Sequence, residues 1–195
     1  MLRCGGVYGR SIELRYPDPA LTDGVVRLRP WEDGDLECVR EAATDPSIPR
    51  VTTVPVVFSR EEGLSFIGRQ RQRIERGEGV SLAIADDATG RALGLTWLGL
   101  RPQLGVMGLG YWVVPGARGR GLGTRAVRLV VAWALSEAGM ARVEAWVEPA
   151  NLASQRLLAA AGFTREGVLR SFLSFGGRRS DAVVFSRTIE DGELT

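Results

Sequence analysis

The sequence of 195 residues contains no histidine and no lysine. Without histidine, Ser-His and Cys-His catalytic pairs and His-bearing metal sites are excluded, and we expect no metal site. Without lysine, Schiff-base chemistry and a Walker-type phosphate loop are excluded as well. Any phosphate group must therefore be bound by arginine, by backbone N–H groups or by a helix N-terminus.

Cysteines and long apolar runs are also scarce. The two cysteines, Cys4 and Cys38, are too few for a disulfide framework, so we expect free thiols. No apolar run approaches the roughly 20 residues that span a bilayer, and the N-terminus lacks a secretory signal. A net charge of +2, with arginine and acidic residues alternating along the chain, gives no concentrated basic face. We therefore expect a cytoplasmic protein whose partners are neither membranes nor nucleic acids.

Hydrophobic periodicity predicts an α/β plan in the order β-α-α-β-β-β-α-β-α-β-β, with a mixed sheet. The first 24 residues carry no sustained pattern, which predicts an N-terminal arm or extension before a single domain over residues 25–195. The predicted strands cover residues 25–29, 80–85, 91–100, 108–114, 142–147, 168–175 and 182–189. The predicted helices cover residues 32–43, 59–76 and 151–161, with one more after residue 121.

A glycine-rich turn joins the strand at residues 108–114 to the next helix. Glycines let the backbone approach an anion closely, and a helix N-terminus offers unpaired N–H groups with a partial positive charge. Such a turn can hold a pyrophosphate, although a Gly-rich chain reversal is the alternative. The glycine spacing does not match the dinucleotide-binding fingerprint of a Rossmann fold. The turn consists of Arg118, Gly119, Arg120, Gly121, Leu122, Gly123 and Thr124.

Two segments resemble the GNAT superfamily of acyl-CoA N-acyltransferases. Arg118-x-x-Gly121-x-Gly123 is similar to its Arg/Gln-x-x-Gly-x-Gly/Ala signature, and Asn151-x-x-Ser154, followed by Gly162-Phe163, resembles its next strand–helix element. The two segments stand in the family's order and at its distance. The stretches at residues 27–31 and 176–181 further resemble the branch that includes ribosomal-protein N-terminal acetyltransferases. The resemblance covers about residues 25–189.

The resemblance implies a GNAT-like α/β fold with a mixed, mostly antiparallel sheet, central splayed parallel strands and flanking helices. Acetyl-CoA would enter the gap between the strands at 108–114 and 142–147. Residues 119–124 would surround its pyrophosphate, with Arg118 and Arg120 adding positive charge, and a β-bulge in the first strand would free backbone groups for it. Tyr111, Trp112 and Val113 would run beside the pantetheine arm and offer backbone groups to its amides, and Asn151 would hydrogen-bond it. The alternatives are a buried sheet aromatic for Trp112 and a helix N-cap for Asn151.

The reaction implied is attack of a neutral amine on a thioester, which needs a route for the amine proton and stabilisation of the thiolate. Glu144 is the first candidate base, and strand alternation places it on one face with Trp146 and Glu148. The alternative for Glu144 is a solvated or Arg-paired strand glutamate, and the alternative for Glu148 is a loop surface residue. Leu158 stands where many relatives carry a tyrosine acid, so Ser154 is the candidate donor to the thioester sulfur, with water as the alternative.

These features favour acetyl transfer from acetyl-CoA to a primary amine. We expect a protein or peptide N-terminal α-amine as acceptor. Its pKa of about 8 leaves a larger neutral fraction at neutral pH than the lysine pKa of about 10.4 does. Acylation of a small-molecule amine such as an antibiotic or metabolite, succinyl transfer, and a non-catalytic acyl-CoA sensor are the alternatives. If the protein forms a homodimer, the final hairpin and the N-terminal arm are the candidate contacts.

Overall fold

The computed structural model describes residues 14–175 and 177–192. Eight strands form its sheet: β1 (Leu21–Thr22), β2 (Val26–Arg29), β3 (Gly79–Asp86), β4 (Ala92–Leu100), β5 (Val106–Val113), β6 (Arg142–Val147), β7 (Thr164–Phe175) and β8 (Arg178–Thr188). Their order across the sheet is β1-β2-β3-β4-β5-β6-β8-β7. Every neighbouring pair is antiparallel except β5 and β6, which run parallel. The mixed, mostly antiparallel α/β sheet predicted from the sequence is confirmed.

The helices lie on both faces of the sheet: α1 (Leu36–Ala43), α2 (Ser47–Val51), α3 (Arg60–Glu75), α4 (Leu122–Ser136) and α5 (Leu152–Ala160). Adjacent strand residues point to opposite faces, so β5 shows which helix covers which face. The Trp112 ring contacts Phe66 of α3, whereas the neighbouring Tyr111 hydroxyl bonds to Ser154 of α5. One face therefore carries α3, with α1 packed against it, and the other carries α5, with α4 against it.

Local sequence signals set the helix boundaries. The Ser59 side chain accepts a hydrogen bond from the Glu62 N–H at 3.1 Å, so α3 begins at the predicted N-cap. In α4, Val127, Val130 and Val131 recur at helical spacing and are fully buried. The predicted apolar stripe of this helix thus packs into the core.

Strands β5 and β6 pair over only three residues each. The pairs are Val106 with Arg142, Met107 with Val143, and Gly108 with Glu144. Beyond Gly108 the strands part, and β5 continues to Val113 beside β4 alone. The splayed parallel strands expected from the resemblance are present, and the last pair, Gly108 and Glu144, marks the fork between them.

The expected β-bulge in the first splayed strand is wrong. The pairing of β4 with β5 runs without a register shift from Gly94–Val113 to Leu100–Met107. The free backbone groups arise from the fork instead. Because the Val114 N–H bonds to the Leu93 carbonyl at 2.9 Å, strand alternation directs the N–H and C=O of Val113 and Tyr111 away from β4 and into the gap. A register shift occurs elsewhere, between Leu169 and Leu173 of β7.

Several elements differ from the sequence-based predictions. The short strand β1 and the five-residue helix α2 carry too little pattern to be recognised from the sequence. Strand β7 begins at Thr164, four residues before the predicted start, and the prediction missed this part because the mostly exposed residues show no alternation of polar and apolar side chains. The sheet therefore begins before residue 25, and Leu14, Tyr16 and Leu21 pack against the core. Residues 1–13 of the predicted arm lie outside the described part of the chain. No helix within that described part is long and apolar enough to cross a membrane.

Candidate active site

A pocket of about 570 Å³ lies where β5, the glycine turn, α5 and α2 meet. Its α2 wall consists of Ser47, Ile48 and Val51. The pocket contains every predicted cofactor-binding residue except Arg120, together with the predicted thiolate donor. These are Tyr111, Trp112, Val113, Arg118, Gly119, Gly121, Leu122, Gly123, Thr124, Asn151 and Ser154.

The glycine turn is open toward this pocket. Gly119 and Gly121 both have φ of 75°, in the left-handed region where a side chain is strained. A Cβ built on either residue would meet nothing within 4 Å, so free space lies above the backbone. Gly121 is the N-cap of α4, and the N–H groups of the first helical turn have no intrahelical acceptor. The turn can therefore present backbone donors to a phosphate at a helix N-terminus.

Gly123 differs from Gly119 and Gly121 because its missing side chain allows close helix packing and does not leave open space. Its ideal Cβ would lie 2.8 Å from Cδ1 of Leu157 on α5 and 3.5 Å from Cγ2 of Val113 on β5. The missing side chain lets α4 pack closely on α5. The pocket walls depend on this close approach, because the turn and α5 form its two sides.

Arg118 makes contacts that differ from those expected. Its Nη1 pairs with Oδ2 of Asp45 at 2.6 Å, and its Nε donates to the Val113 carbonyl at 2.9 Å. Hydrogen bonds from Ser47, and then from Arg118, hold the pKa of Asp45 below its usual value. Arg118 thus ties the glycine turn to the segment that enters α2. The other predicted phosphate cation, Arg120, is exposed and does not line the pocket.

Trp112 and Asn151 adopt the alternatives that the sequence left open. Trp112 is buried and packs against Trp31 and Phe66, with ring centroids 6.2 and 6.4 Å away. Asn151 caps α5, since its Oδ1 accepts from the Ser154 N–H at 3.1 Å. Both residues also line the pocket, so these structural roles do not exclude contact with a ligand.

The side chain of Tyr111 reaches across the pocket to α5. Its hydroxyl lies 2.5 Å from Oγ of Ser154, and its ring is largely buried. Burial raises the pKa of Tyr111 to about 12, with the Ser154 hydrogen bond acting in the opposite direction. From the sequence we expected only backbone contacts from Tyr111. Leu158, at the position of the family's tyrosine acid, is fully buried.

The structure does not bring Glu144 and Ser154 into one pocket. Glu144 shares its face with Gly108, its parallel partner, and therefore with Trp112 on the α3 side of the sheet. Its carboxylate pairs with Arg101 Nε at 3.3 Å and with Arg142 Nε at 3.4 Å. The Arg-paired alternative for Glu144 is thus present, and its position at the fork still places it next to the gap between the strands.

A second concavity of about 720 Å³ surrounds Glu144. The guanidinium of Arg101 stacks over the Trp146 ring at 3.8 Å, and Phe172 contacts the same ring edge-on at 4.6 Å. The register shift in β7 includes Phe172, and such bulges re-aim side chains near sites. Glu148 does not line this concavity; it pairs with Arg50 of α2, which holds its pKa below the usual value.

Comparison with known proteins identifies the family. Residues 26–164 match the model of the "Acetyltransferase (GNAT) domain", which is more than half of the chain. The chain belongs to the GNAT acetyltransferase family. As a GNAT enzyme it is an acetyl-CoA-dependent N-acetyltransferase, which confirms the resemblance seen in its sequence.

Individual relatives agree with this assignment. The chain is 34% identical to "Probable N-acetyltransferase YjcK" of Bacillus subtilis (strain 168) over 129 residues, which are 65% of this chain and 71% of that protein. RimJ of Mycobacterium smegmatis, solved with CoA-disulfide, has a TM-score of 0.75 and 25% identity, covering 88% of this chain and 86% of that one. The ribosomal-protein-S5-alanine acetyltransferase of Vibrio fischeri has a TM-score of 0.71 and 18% identity, covering 88% and 97%, and shows the shared fold.

One residue of the GNAT pocket escaped the sequence reasoning. Arg156 is exposed, lines the pocket, and has no ion pair among residues 14–175 and 177–192. Helical spacing in the sequence could have predicted this position. One face of α5 lines the pocket, and it consists of Ala153, Arg156, Leu157 and Ala160. Arg156 can therefore supply the positive charge that we assigned to Arg118 and Arg120.

The remaining reactive groups of this GNAT domain offer little to catalysis. Across the described part of the chain, no group of three or more His, Cys, Asp or Glu residues could hold a metal ion. Burial raises the pKa of the Cys38 thiol, and the side chain is only 3% exposed. Cys38 is thus unsuited to carry an acyl group.

Proposed function

We propose that this GNAT enzyme transfers the acetyl group of acetyl-CoA to the N-terminal α-amine of a protein or peptide. The observation that carries the proposal is a pair of separate concavities, one lined by the glycine turn, β5 and α5, and the other lined by Glu144 and β7. The α4 and α5 side holds the glycine turn, and the α3 side holds Glu144. Cofactor and acceptor can therefore approach the fork from different sides.

The cofactor pocket fits coenzyme A through groups that the chain itself supplies. The α4 N-terminus and the open glycines would face the pyrophosphate, and Arg156 would add a cation. Tyr111 and Val113 direct backbone groups into the gap, where they could hydrogen-bond the amides of a pantetheine arm. The Val113 carbonyl already accepts a hydrogen bond from Arg118. Bound acetyl-CoA supplies an activated thioester to this site.

Glu144 is our proposed route for the amine proton. It belongs to the last residue pair before the fork, on the face of the second concavity. Its carboxylate contacts Arg101 and Arg142, and it would receive the amine proton directly or through a water. An α-amine, with a reference pKa of about 8, needs less help from such a base than a lysine at about 10.4.

The second concavity is open and suits an extended chain. Exposed apolar side chains of β7, including Val168, Leu169 and Phe172, lie beside the charged groups of its floor. RimJ and the ribosomal-protein-S5-alanine acetyltransferase share the fold, and the second is named for a protein acceptor. These points favour a protein or peptide over a compact metabolite. The cytoplasmic location and the homodimer expected from the sequence stay predictions.

One peptide in two forms tests the acceptor. A lysine-containing peptide is offered with its α-amine free or blocked, and release of coenzyme A and peptide mass are measured. We expect acetylation only of the free form. Acetylation of the blocked peptide, or turnover only with an aminoglycoside, polyamine or other small amine, would overturn the acceptor. Tight acyl-CoA binding without turnover of any amine would instead indicate a sensor.

A further inference from the structure

We propose that Tyr111 is a positioning residue, which orients the Ser154 hydroxyl so that it donates to the sulfur of the departing coenzyme A. The inference deepens the proposed function and rests on it. The sequence assigned Tyr111 to cofactor contact through its backbone. Its side chain has no assigned role, although it makes a short hydrogen bond inside the pocket.

The Tyr111 and Ser154 hydroxyl groups have one proton each, and their contacts determine which hydroxyl donates to the other. Tyr111 Oη lies 2.5 Å from Ser154 Oγ and 3.3 Å from the Ser154 carbonyl. A phenol is a stronger acid than an aliphatic alcohol, so Tyr111 is the better donor of the pair. When Tyr111 donates to Oγ, the Ser154 proton is directed away from Tyr111 and toward the pocket.

The surrounding structure keeps this arrangement in place. Tyr111 is fixed by its strand, whose pairing with β4 is regular, and Ser154 lies in the first turn of α5. The Asn151 cap binds the Ser154 N–H and holds that turn. With the Tyr111 pKa raised to about 12 by burial, the phenol stays protonated over the range in which the enzyme is assayed.

The need for such a pair follows from what stands at the family's tyrosine position. Leu158 is fully buried and carries no proton donor. Tyr111 approaches the same helix from the strand side, 43 residues away in sequence from Ser154. The strand thus supplies to the α5 N-terminus a phenol that the helix itself lacks.

The chemical step balances without an external acid. The amine nitrogen forms a bond to the acetyl carbon, the C–S bond breaks, and the electron pair remains on sulfur as a thiolate. The extra proton on nitrogen passes to Glu144 or water and then to solvent. Ser154 donates a hydrogen bond to the thiolate, and Tyr111 donates one to Ser154. A donor aimed at developing charge lowers the barrier most, because it strengthens as the charge forms.

A double-mutant cycle tests whether Tyr111 acts through Ser154. The variants are Tyr111→Phe, Ser154→Ala and their combination, with kcat and KM measured separately. We expect kcat to fall by about 10- to 100-fold in each single variant and no further in the double variant, with KM for acetyl-CoA nearly unchanged. Tyr16→Phe is the matched control, since it removes a buried hydroxyl that has no hydrogen-bond partner among the described residues and does not line the pocket. Multiplicative losses in the double variant, or an unaffected Tyr111→Phe, would overturn the inference.

A second measurement does not depend on turnover. The thiol of bound coenzyme A is titrated by its ultraviolet thiolate absorbance, against a reference of about 8.5 for a free thiol. We expect the wild-type protein to lower this pKa and both Tyr111→Phe and Ser154→Ala to return it toward the reference. An unshifted pKa in the wild type, or an unaltered shift in Tyr111→Phe, contradicts the inference. A wild-type shift without turnover of any amine would leave this pairing intact and remove the proposed function.

Discussion

At the scale of single residues, two glutamates near the end of β6 are both held by arginines but differ in position. Glu144 lies at the fork in contact with Arg101 and Arg142, whereas Glu148 lies beyond the strand and pairs with Arg50. Ion pairs as exposed as that of Glu148 contribute about 0–1 kcal/mol to stability. The difference in position, rather than in partner type, is what makes Glu144 the candidate base.

We expect Glu144→Gln to lower turnover most at low pH, where little free amine exists and proton removal matters most. General acid–base groups contribute about 10²- to 10⁴-fold, and coenzyme A affinity should stay nearly intact. Rates measured across pH with one amine, together with calorimetry of coenzyme A, check this. Glu148→Gln is the matched control and should change little. If both variants stay within about twofold of wild type, catalysis consists mainly of positioning the two substrates.

Glu166 links a single carboxylate to stability in acid. Hydrogen bonds from Arg142, and then from Ser186, lower its pKa from 4.5 to about 2. Because the folded-state pKa is depressed, the stabilisation is fully present above pH 4.5 and is lost as the pH falls toward about 2. The side chain is 41% exposed, so the contribution is smaller than the shift alone implies.

We expect Glu166→Gln to lose less stability than the wild type between about pH 6 and about pH 3, because the wild type alone must protonate this carboxylate. The urea unfolding midpoint at the two pH values measures this. Glu190→Gln, at an exposed glutamate without a hydrogen bond or ion pair among the described residues, should follow the wild type. Equal losses in Glu166→Gln and wild type would show that the Arg142 contact does not persist in solution.

At the scale of elements, the strand–turn–helix unit of β5 and α4 holds most residues of the proposed cofactor site. We expect Gly121→Glu to abolish measurable coenzyme A binding, since it places a carboxylate at the α4 N-terminus where the pyrophosphate would lie. Any side chain at this φ of 75° also costs about 1–2 kcal/mol in strain. Gly121→Ala introduces the backbone strain without the charge, so its affinity for coenzyme A should lie between those of the wild type and Gly121→Glu.

Isothermal calorimetry of coenzyme A with the three proteins decides the matter, provided that circular dichroism shows them folded. Undiminished affinity of Gly121→Glu for coenzyme A would show that the pyrophosphate does not bind at this turn. Equal losses in Gly121→Ala and Gly121→Glu would assign the effect to backbone strain, and the helix N-terminus would no longer explain binding.

At the scale of the whole molecule, the sheet separates two working surfaces. The glycine turn and Ser154 lie on one face, and Glu144 lies on the other, in the last residue pair before the fork. The Cys38 thiol is buried, so the described part of the chain offers no exposed thiol to carry an acetyl group. We therefore expect both substrates to be bound together for direct transfer.

We expect initial rates at varied acetyl-CoA and amine to give intersecting double-reciprocal lines, as a ternary complex requires. Parallel lines, together with an acetylated protein detected by mass spectrometry in the absence of amine, would indicate a covalent intermediate instead. Cys38→Ser, the variant that removes the buried thiol, should retain the intersecting pattern.

The sequence by itself determined the parts of this protein that depend on neighbouring residues. The glycine turn after β5, the Ser59 and Asn151 caps and the apolar stripe of α4 follow from left-handed backbone, short polar side chains and helical period. These signals, in order and at the family's spacing, were enough to predict the fold, and every predicted cofactor-binding residue except Arg120 lines one pocket.

Only the tertiary structure decided which distant residues meet. It paired Arg118 with Asp45 and Tyr111 with Ser154, and it placed Glu144 on the opposite face from Ser154. The fork replaced the expected bulge because β6 pairs with β5 over three residues only. Such contacts depend on strand register and on how helices pack across the sheet, and local propensity contains neither, since a one-residue slip reverses the face of every side chain in a strand.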